Sequence, residues 1–281
     1  MRIPGLRFDG QTVLVTGASS GIGREAALAF AAAGANVVLV ARRAATLAKV
    51  AAAARKAGAE ALVIPTDVTK PASVEACFRK AVARFGRVDV VVNNAGVMIP
   101  ATVPDLRPDD LRRMLEVNLF GALAVMQSAV RQMRRQGGGH IVNVGSLAGR
   151  RGFSPLGGYS ATKFALVGLT EALRTELRGE PVYVSLVLPG VVETPMAEEA
   201  SARGPAAGLW PRRLTMPPSW VVWAIFAAIR LRLAEVAVPP GTALIGKLAS
   251  LAPGAADAVL GLATDAARRP RDTSSTSRKR P

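Results

Sequence analysis

Short apolar runs rich in valine and isoleucine recur along this chain, at Thr12–Thr16, Asn36–Ala41, Ala61–Pro65, Val88–Asn93, His140–Val144 and Val182–Leu188. Several are apolar almost throughout, the pattern of parallel strands covered on both faces. Between them lie longer segments of helical spacing, near Gly23–Ala33, Ala44–Ala57, Ser73–Phe85, Asp109–Arg135 and Tyr159–Arg178. Strands alternating with helices through right-handed crossovers give an α/β fold, a doubly wound parallel sheet with helices on both faces. No shift in composition divides this region, so residues 1–240 read as one domain. Within it, residues 190–218 are rich in Gly, Pro, Ala and charge, too long for an ordinary connection, and read as a lid. Trp220–Leu233 then reads as a helix and Glu235–Val238 as a short last strand. Residues 241–267 form an expected apolar helical extension, in two pieces (Thr242–Leu251 and Ala255–Ala267) around Pro253-Gly254. The Ser/Thr/Arg stretch 268–281 is expected to be a disordered basic tail.

A fold of 281 residues, half of them hydrophobic, can bury a core without help from metals or disulfides. The single cysteine, Cys77, excludes an internal disulfide and fits a reducing, cytoplasmic setting. The formal charge of +16 is spread widely. The last fourteen residues carry +5 of it, and the remaining +11 shows no basic stripe with interleaved aromatics. Diffuse positive charge attracts anions, including a phosphorylated cofactor, without specifying nucleic acid, which is not expected as a partner. Met1–Gln11 has no apolar signal core, and the apolar run Trp220–Ile229 is about half the length of a membrane span.

The turn Thr16-Gly17-Ala18-Ser19-Ser20-Gly21-Ile22-Gly23 stands where the first strand ends and the first helix begins. Glycines here allow a sharp turn, a close approach to a pyrophosphate and tight strand–helix packing, and the helix N-terminus faces the phosphates. This points to a Rossmann-like dinucleotide site. Such folds often place an acid after the second strand to bind the ribose hydroxyls. Here Ala41 is followed by Arg42 and Arg43, which suit a 2′-phosphate and favour NADP(H) over NAD(H).

Tyr159 and Lys163 are four residues apart at the start of the long helix after the fifth strand, so phenol and ammonium share one helical face. A neighbouring ammonium is expected to lower the phenol pKa. Ser146 ends the fifth strand and Asn93-Asn94-Ala95-Gly96 ends the fourth, both at the edge where open α/β sheets bind ligands. With the glycine turn and Asn118, these motifs in this order resemble the short-chain dehydrogenase/reductase superfamily, in its compact single-domain branch, over residues 8–238. The resemblance implies a catalytic set of Asn118, Ser146, Tyr159 and Lys163. Tyr159 would exchange the proton, Ser146 orient the substrate oxygen, Lys163 bind the nicotinamide ribose, and Asn118 hold a relay water. It also implies cofactor contacts from Gly17, Ser19, Ser20, Gly21, Ile22 and Gly23, and from Asp67 and Val68 at the adenine. Asn94, Ala95 and Gly96, then Pro189, Gly190, Val192 and Thr194 near the nicotinamide, complete that set.

The expected reaction is hydride transfer at a carbon bearing oxygen, the substrate a hydrophobic alcohol or carbonyl compound lying against Met98, Leu147, Phe153, Leu156, Val191 and Met196. Leu209 and Trp210 are placed in the lid. The alternative from another class is a catalytically silent NADP-binding regulatory or scaffolding protein of the same fold. The only histidine, His140, begins the fifth strand, roughly 20 Å along the strand from Ser146, too far for a hydrolase triad. One histidine and one cysteine supply no transition-metal site, and none is expected. Homo-oligomers are usual in the family, and the C-terminal segment with its basic tail is a candidate for intrachain or intersubunit packing, or for peripheral membrane contact.

Overall fold

The computed structural model describes residues 7–202, 215–242, 251–255 and 258. Seven parallel strands form one sheet: β1 (Thr12–Thr16), β2 (Asn36–Ala41), β3 (Ala61–Pro65), β4 (Val90–Asn93), β5 (Gly139–Val144), β6 (Val182–Pro189) and β7 (Glu235–Val238), in the order β3-β2-β1-β4-β5-β6-β7. The connecting helices are α1 (Gly21–Ala32), α2 (Ala44–Lys56), α3 (Pro71–Phe85), α4 (Pro108–Leu115), α5 (Ala122–Gln136), α6 (Gly157–Glu176), α7 (Pro195–Ala202) and α8 (Pro218–Arg230).

The apolar runs become strands because both sheet faces need apolar side chains. Val13, Val37 and Val90 share one register, pointing into a layer with Phe30 of α1, Leu47 of α2 and Phe226 of α8. Their neighbours Leu14, Val38 and Val91 point the other way, against Phe78 of α3, Met133 of α5 and Leu166 of α6. Phe8 closes the first layer, with ring centroids 4.9 Å from Phe30 and 5.1 Å from Phe226. The chain winds outward from β1 to β3, then returns to wind the other way from β4. Ligands of such sheets bind where this reversal opens a crevice, at the carboxyl ends of β1 and β4.

Three local differences from the sequence reading have physical causes. The expected helix 109–135 is interrupted by a π-helical turn, Glu116–Gly121, which holds Asn118. Here the helix passes close to the loop after β3: a Cβ on Gly121 would stand 2.8 Å from Val68 Cγ2. A single wider turn shifts the apolar pattern by only one residue, a break that reading 109–135 as one continuous helix does not register. The lid contains helix α7, whose first turn is capped by Thr194, with the Ala197 N–H donating to Thr194 Oγ1 at 3.3 Å and Pro195 at the first helical position. Thr-Pro is a helix-start signal that the Gly/Pro/Ala composition obscured. The fourth strand begins at Val90, because the Asp89 side chain caps the sheet edge by accepting from the Thr12 N–H at 2.8 Å.

His140 is buried at the amino ends of the strands, with Nε2 2.8 Å from Ser185 Oγ. The Ser185 hydroxyl donates to the Leu233 carbonyl at 2.5 Å, so its oxygen accepts from a His140 Nε2–H. Burial, reinforced by the Arg232 charge, pushes the His140 pKa down to about 4.

No helix among the described residues is long and apolar enough to cross a membrane. Residues 203–214 of the lid, with Leu209 and Trp210, lie outside the described residues, as do most of 241–267 and the tail. Where the C-terminal segment is described, Arg151 donates to the Pro253 carbonyl at 3.4 Å, placing that segment beside the loop after β5.

Candidate active site

The ends of β1 and β4 are stitched together by Thr16. Its Oγ1 accepts from the N–H groups of Asn94 (2.9 Å) and Ala95 (3.0 Å), while Asn94 Nδ2 donates to the Thr16 carbonyl at 3.0 Å. The sequence reading counts Thr16 as the start of the glycine turn but assigns its hydroxyl no role; a hydroxyl closing an otherwise apolar strand was the available signal. The glycine turn packs directly on this joint. Gly17 has φ 68°, and a Cβ on Gly23 would lie 2.4 Å from the Gly17 oxygen and 2.5 Å from Asn94 Nδ2. Gly23 thus has no room for a side chain, and the N-terminus of α1 is held against the strand ends.

A cleft of about 470 Å³ opens above this turn. Its walls bring together Gly17, Ser19, Ser20, Gly21 and Ile22 with Arg42 and Arg43, Asp67 and Val68, then Asn94, Ala95, Gly96 and Thr194. Residues from five separate stretches therefore meet at the crevice predicted by the topology. Arg113, Glu116, Val117 and Met196 also line it. Of these only Met196 is expected from the sequence, as part of the substrate wall; Arg113 comes from α4, and Glu116 and Val117 from the π-helical turn that follows it. Asp67 accepts from the Thr69 hydroxyl (2.8 Å) and N–H (3.1 Å). The Thr69 bond is the main cause of a carboxyl pKa below the usual range, and the Arg42 charge adds to it.

Gly23, Pro189, Gly190 and Val192 do not line the cleft. Gly23 lies beneath the turn, and Val192 is buried, bridged through its backbone to Met216. The end of β6 is fixed by the Gly190 N–H, which donates to the Val238 carbonyl at 2.8 Å. Thr194 then crosses over the glycine turn, with its Cγ2 3.0 Å from where a Gly21 Cβ would stand.

Ser146 leaves β5 in extended conformation and caps a short 3₁₀ turn, Leu147–Gly149, accepting from the Ala148 N–H at 3.1 Å. Its hydroxyl lies 3.5 Å from the Pro189 carbonyl, and it is the neighbour that acts on the Tyr159 phenol. Tyr159 is in the first turn of α6, and Lys163, one turn later, is buried with Nζ 5.7 Å from the Tyr159 ring centroid. The ammonium donates to the Val144 carbonyl at 3.0 Å.

The phenol pKa departs from the sequence expectation. Burial pushes it up to about 12, and the Ser146 hydroxyl only partly opposes this. Burial also pushes the Lys163 ammonium down to about 8. Desolvation, which penalises both charged forms, outweighs the attraction between ammonium and phenolate in this arrangement.

Asn118 is fully enclosed. Its Nδ2 donates to the Val97 carbonyl (2.9 Å) and to Thr162 Oγ1 (3.0 Å), and its Oδ1 accepts from the Val97 N–H (2.8 Å). The side-chain amide is thereby committed to joining the loop after β4 to α6. Below it, Asn93 donates to Asn143, which donates to Thr170, so a buried polar chain runs from β4 through β5 into α6. Asn143 and Thr170 were not singled out from sequence, because neither belongs to a spaced motif.

A family model described as short chain dehydrogenase matches residues 11–204. The chain is 38% identical over 197 residues to a 3beta-hydroxysteroid dehydrogenase of Mediterraneibacter gnavus, covering 70% of this chain and 71% of that protein. Its fold resembles a short chain dehydrogenase/reductase from Burkholderia phymatum in complex with NAD, with a TM-score of 0.78 and 30% identity over 96% of this chain and 99% of that one. It also resembles an alcohol dehydrogenase from the archaeon Thermococcus sibiricus complexed with 5-hydroxy-NADP, with a TM-score of 0.71 and 30% identity, covering 81% and 95% of the two chains. Both the sequence model and these likenesses lead to one conclusion: the chain belongs to the short-chain dehydrogenase/reductase family of oxidoreductases.

Proposed function

We propose that the protein is an NADP(H)-dependent oxidoreductase that interconverts a hydrophobic alcohol and its ketone, with Tyr159 as the proton donor and acceptor. The observation that carries this reading is the placement of Tyr159 over buried Lys163, with Nζ 5.7 Å from the ring centroid and bonded to the Val144 carbonyl, at the carboxyl edge of the sheet. A phenol raised to about 12 is neutral at pH 7, the form required of an acid that protonates a carbonyl oxygen. The Ser146 hydroxyl, next to the same phenol, would hold that oxygen. As the proton leaves Tyr159, a protonated Lys163 stabilises the phenolate. Asn118, with its amide already committed, would hold a water only through its main-chain carbonyl.

The glycine turn, which excludes even a Cβ at Gly23, and the helix end behind it fit a dinucleotide pyrophosphate. When bound there, the nicotinamide would supply or accept the hydride. Pro189, Gly190, Val192 and Thr194 would border that ring, with Asp67 and Val68 at the adenine end. The preference for NADP(H) rests on Ala41 where a carboxylate would repel a 2′-phosphate, and on Arg42 and Arg43 at the cleft rim. A relative described as a 3beta-hydroxysteroid dehydrogenase supports a bulky apolar substrate, as does the apolar character of Met98, Leu147 and Phe153 in the segments expected to wall the substrate.

Oxidation of NADPH with a panel containing acetophenone, a 3-ketosteroid and pyruvate tests the proposal. Turnover is expected with the apolar ketones and not with pyruvate. Tight NADPH binding without turnover of any member would favour the non-catalytic reading.

A further inference from the structure

We infer that Arg150 is a positioning residue for this reaction: its guanidinium clamps the loop bearing Ser146 to α6 and β7, and so sets the Ser146 hydroxyl against Tyr159. The inference rests on the reading that these two side chains face the substrate oxygen.

Ser146 sits on a connection with little regular structure of its own, a single 3₁₀ turn between β5 and α6. Three contacts fix that turn. Leu147 packs beside Leu186 and Leu188 of β6. Gly149 meets the main chain of α6 so closely that a Cβ there would lie 2.8 Å from the Lys163 oxygen. Arg150 follows immediately, and its Nη2 donates to Glu171 Oε1 at 2.6 Å and to the Glu235 carboxylate. Glu171 is two turns beyond Lys163 on α6, and Glu235 opens β7, opposite Leu186 of β6.

Exposed ion pairs contribute little. This one differs in two respects. The Arg150 side chain is only 18% exposed and that of Glu235 16%, so solvent screens the pair weakly. The three groups also come from segments 21 and 85 residues apart, and both carboxylates converge on the single Nη2 of a guanidinium whose planar, always-charged head holds its direction better than a flexible ammonium stem. Helix α6 and strand β7 are already held by the core and by the β6–β7 ladder, which leaves the Ser146 loop as the part the clamp immobilises. Since a misplacement of about 1 Å can cost about a hundredfold in rate, loss of the clamp should act on turnover rather than on folding.

The experiment compares Arg150→Met, Arg150→Lys, Glu171→Gln and Glu235→Gln with wild type, using the panel ketone that is reduced fastest. kcat, KM, NADPH affinity by fluorescence, and Tm are measured for each. Arg150→Met is expected to lower kcat at least tenfold while NADPH affinity stays within about twofold, and Arg150→Lys to recover only part of the loss. Glu171→Gln and Glu235→Gln should each show a smaller fall in kcat. Wild-type kcat in Arg150→Met, or in both glutamine variants should Arg150→Met fail to fold, overturns the inference while Ser146→Ala remains inactive. Activity in Ser146→Ala overturns the site reading itself, and the clamp with it.

Discussion

Tyr159 and Lys163 illustrate how much an environment changes two side chains whose spacing is written in the sequence. One helical turn brings them onto one face, yet burial raises the phenol to about 12 and lowers the ammonium to about 8. Tyr159→Phe keeps the ring and removes the transferable proton. It should lower kcat by about 10²- to 10⁴-fold and leave NADPH affinity nearly unchanged, measured by steady-state kinetics and fluorescence titration. In the cleft, Arg42→Ala with Arg43→Ala removes both guanidinium groups on which the proposed preference for NADP(H) rests. Loss of a charge-assisted bond is worth about 1.5 kcal/mol or more, so the NADP⁺/NAD⁺ ratio of kcat/KM should fall at least about tenfold. An unchanged ratio would assign the preference elsewhere.

Among the elements, the π-helical turn Glu116–Gly121 matters most to the site. It carries Glu116 and Val117 to the cleft wall and turns Asn118 inward, where one amide makes three bonds to Val97 and Thr162. Asn118→Ala would leave the Val97 N–H and carbonyl without these partners inside the protein. The expected cost is about 2–3 kcal/mol in urea unfolding, with faster amide exchange at residues 95–98. A variant as stable as wild type would show that water replaces the amide without loss. The same region shows the reach of sequence reading: Asn118 was legible as a motif residue, but the committed state of its amide was not. That depends on Val97 and Thr162, which lie 21 and 44 residues away.

For the molecule as a whole, the doubly wound sheet separates two chemistries at opposite edges. The carboxyl edge holds the cleft, and the amino edge holds His140, bonded to Ser185 and neutral. In the unfolded chain His140 takes a proton below about 6.5, whereas the folded protein resists this until about 4. The stability this group contributes is therefore complete above about pH 6.5 and lost as pH falls toward 4. The loss is on the order of 3 kcal/mol at the lower limit. Thermal unfolding from pH 7.5 to 4.5 should show a steeper fall for wild type than for His140→Gln.

The sequence by itself determined what depends on neighbours along the chain. Strand and helix alternation follows from apolar period, the glycine turn from the absence of side chains at Gly17, Gly21 and Gly23, and the Tyr159–Lys163 face from helical rise. Their order along the chain was enough to indicate the family. Tertiary structure alone decided what depends on burial and on distant partners. The direction of the Tyr159 pKa, the enclosure of Asn118 and the three-way contact of Arg150 belong to this class. So does the approach of Arg113 to the cleft. The physical reason is common to all of them: desolvation and hydrogen-bond geometry are set by groups that only the folded sheet brings within a few ångströms.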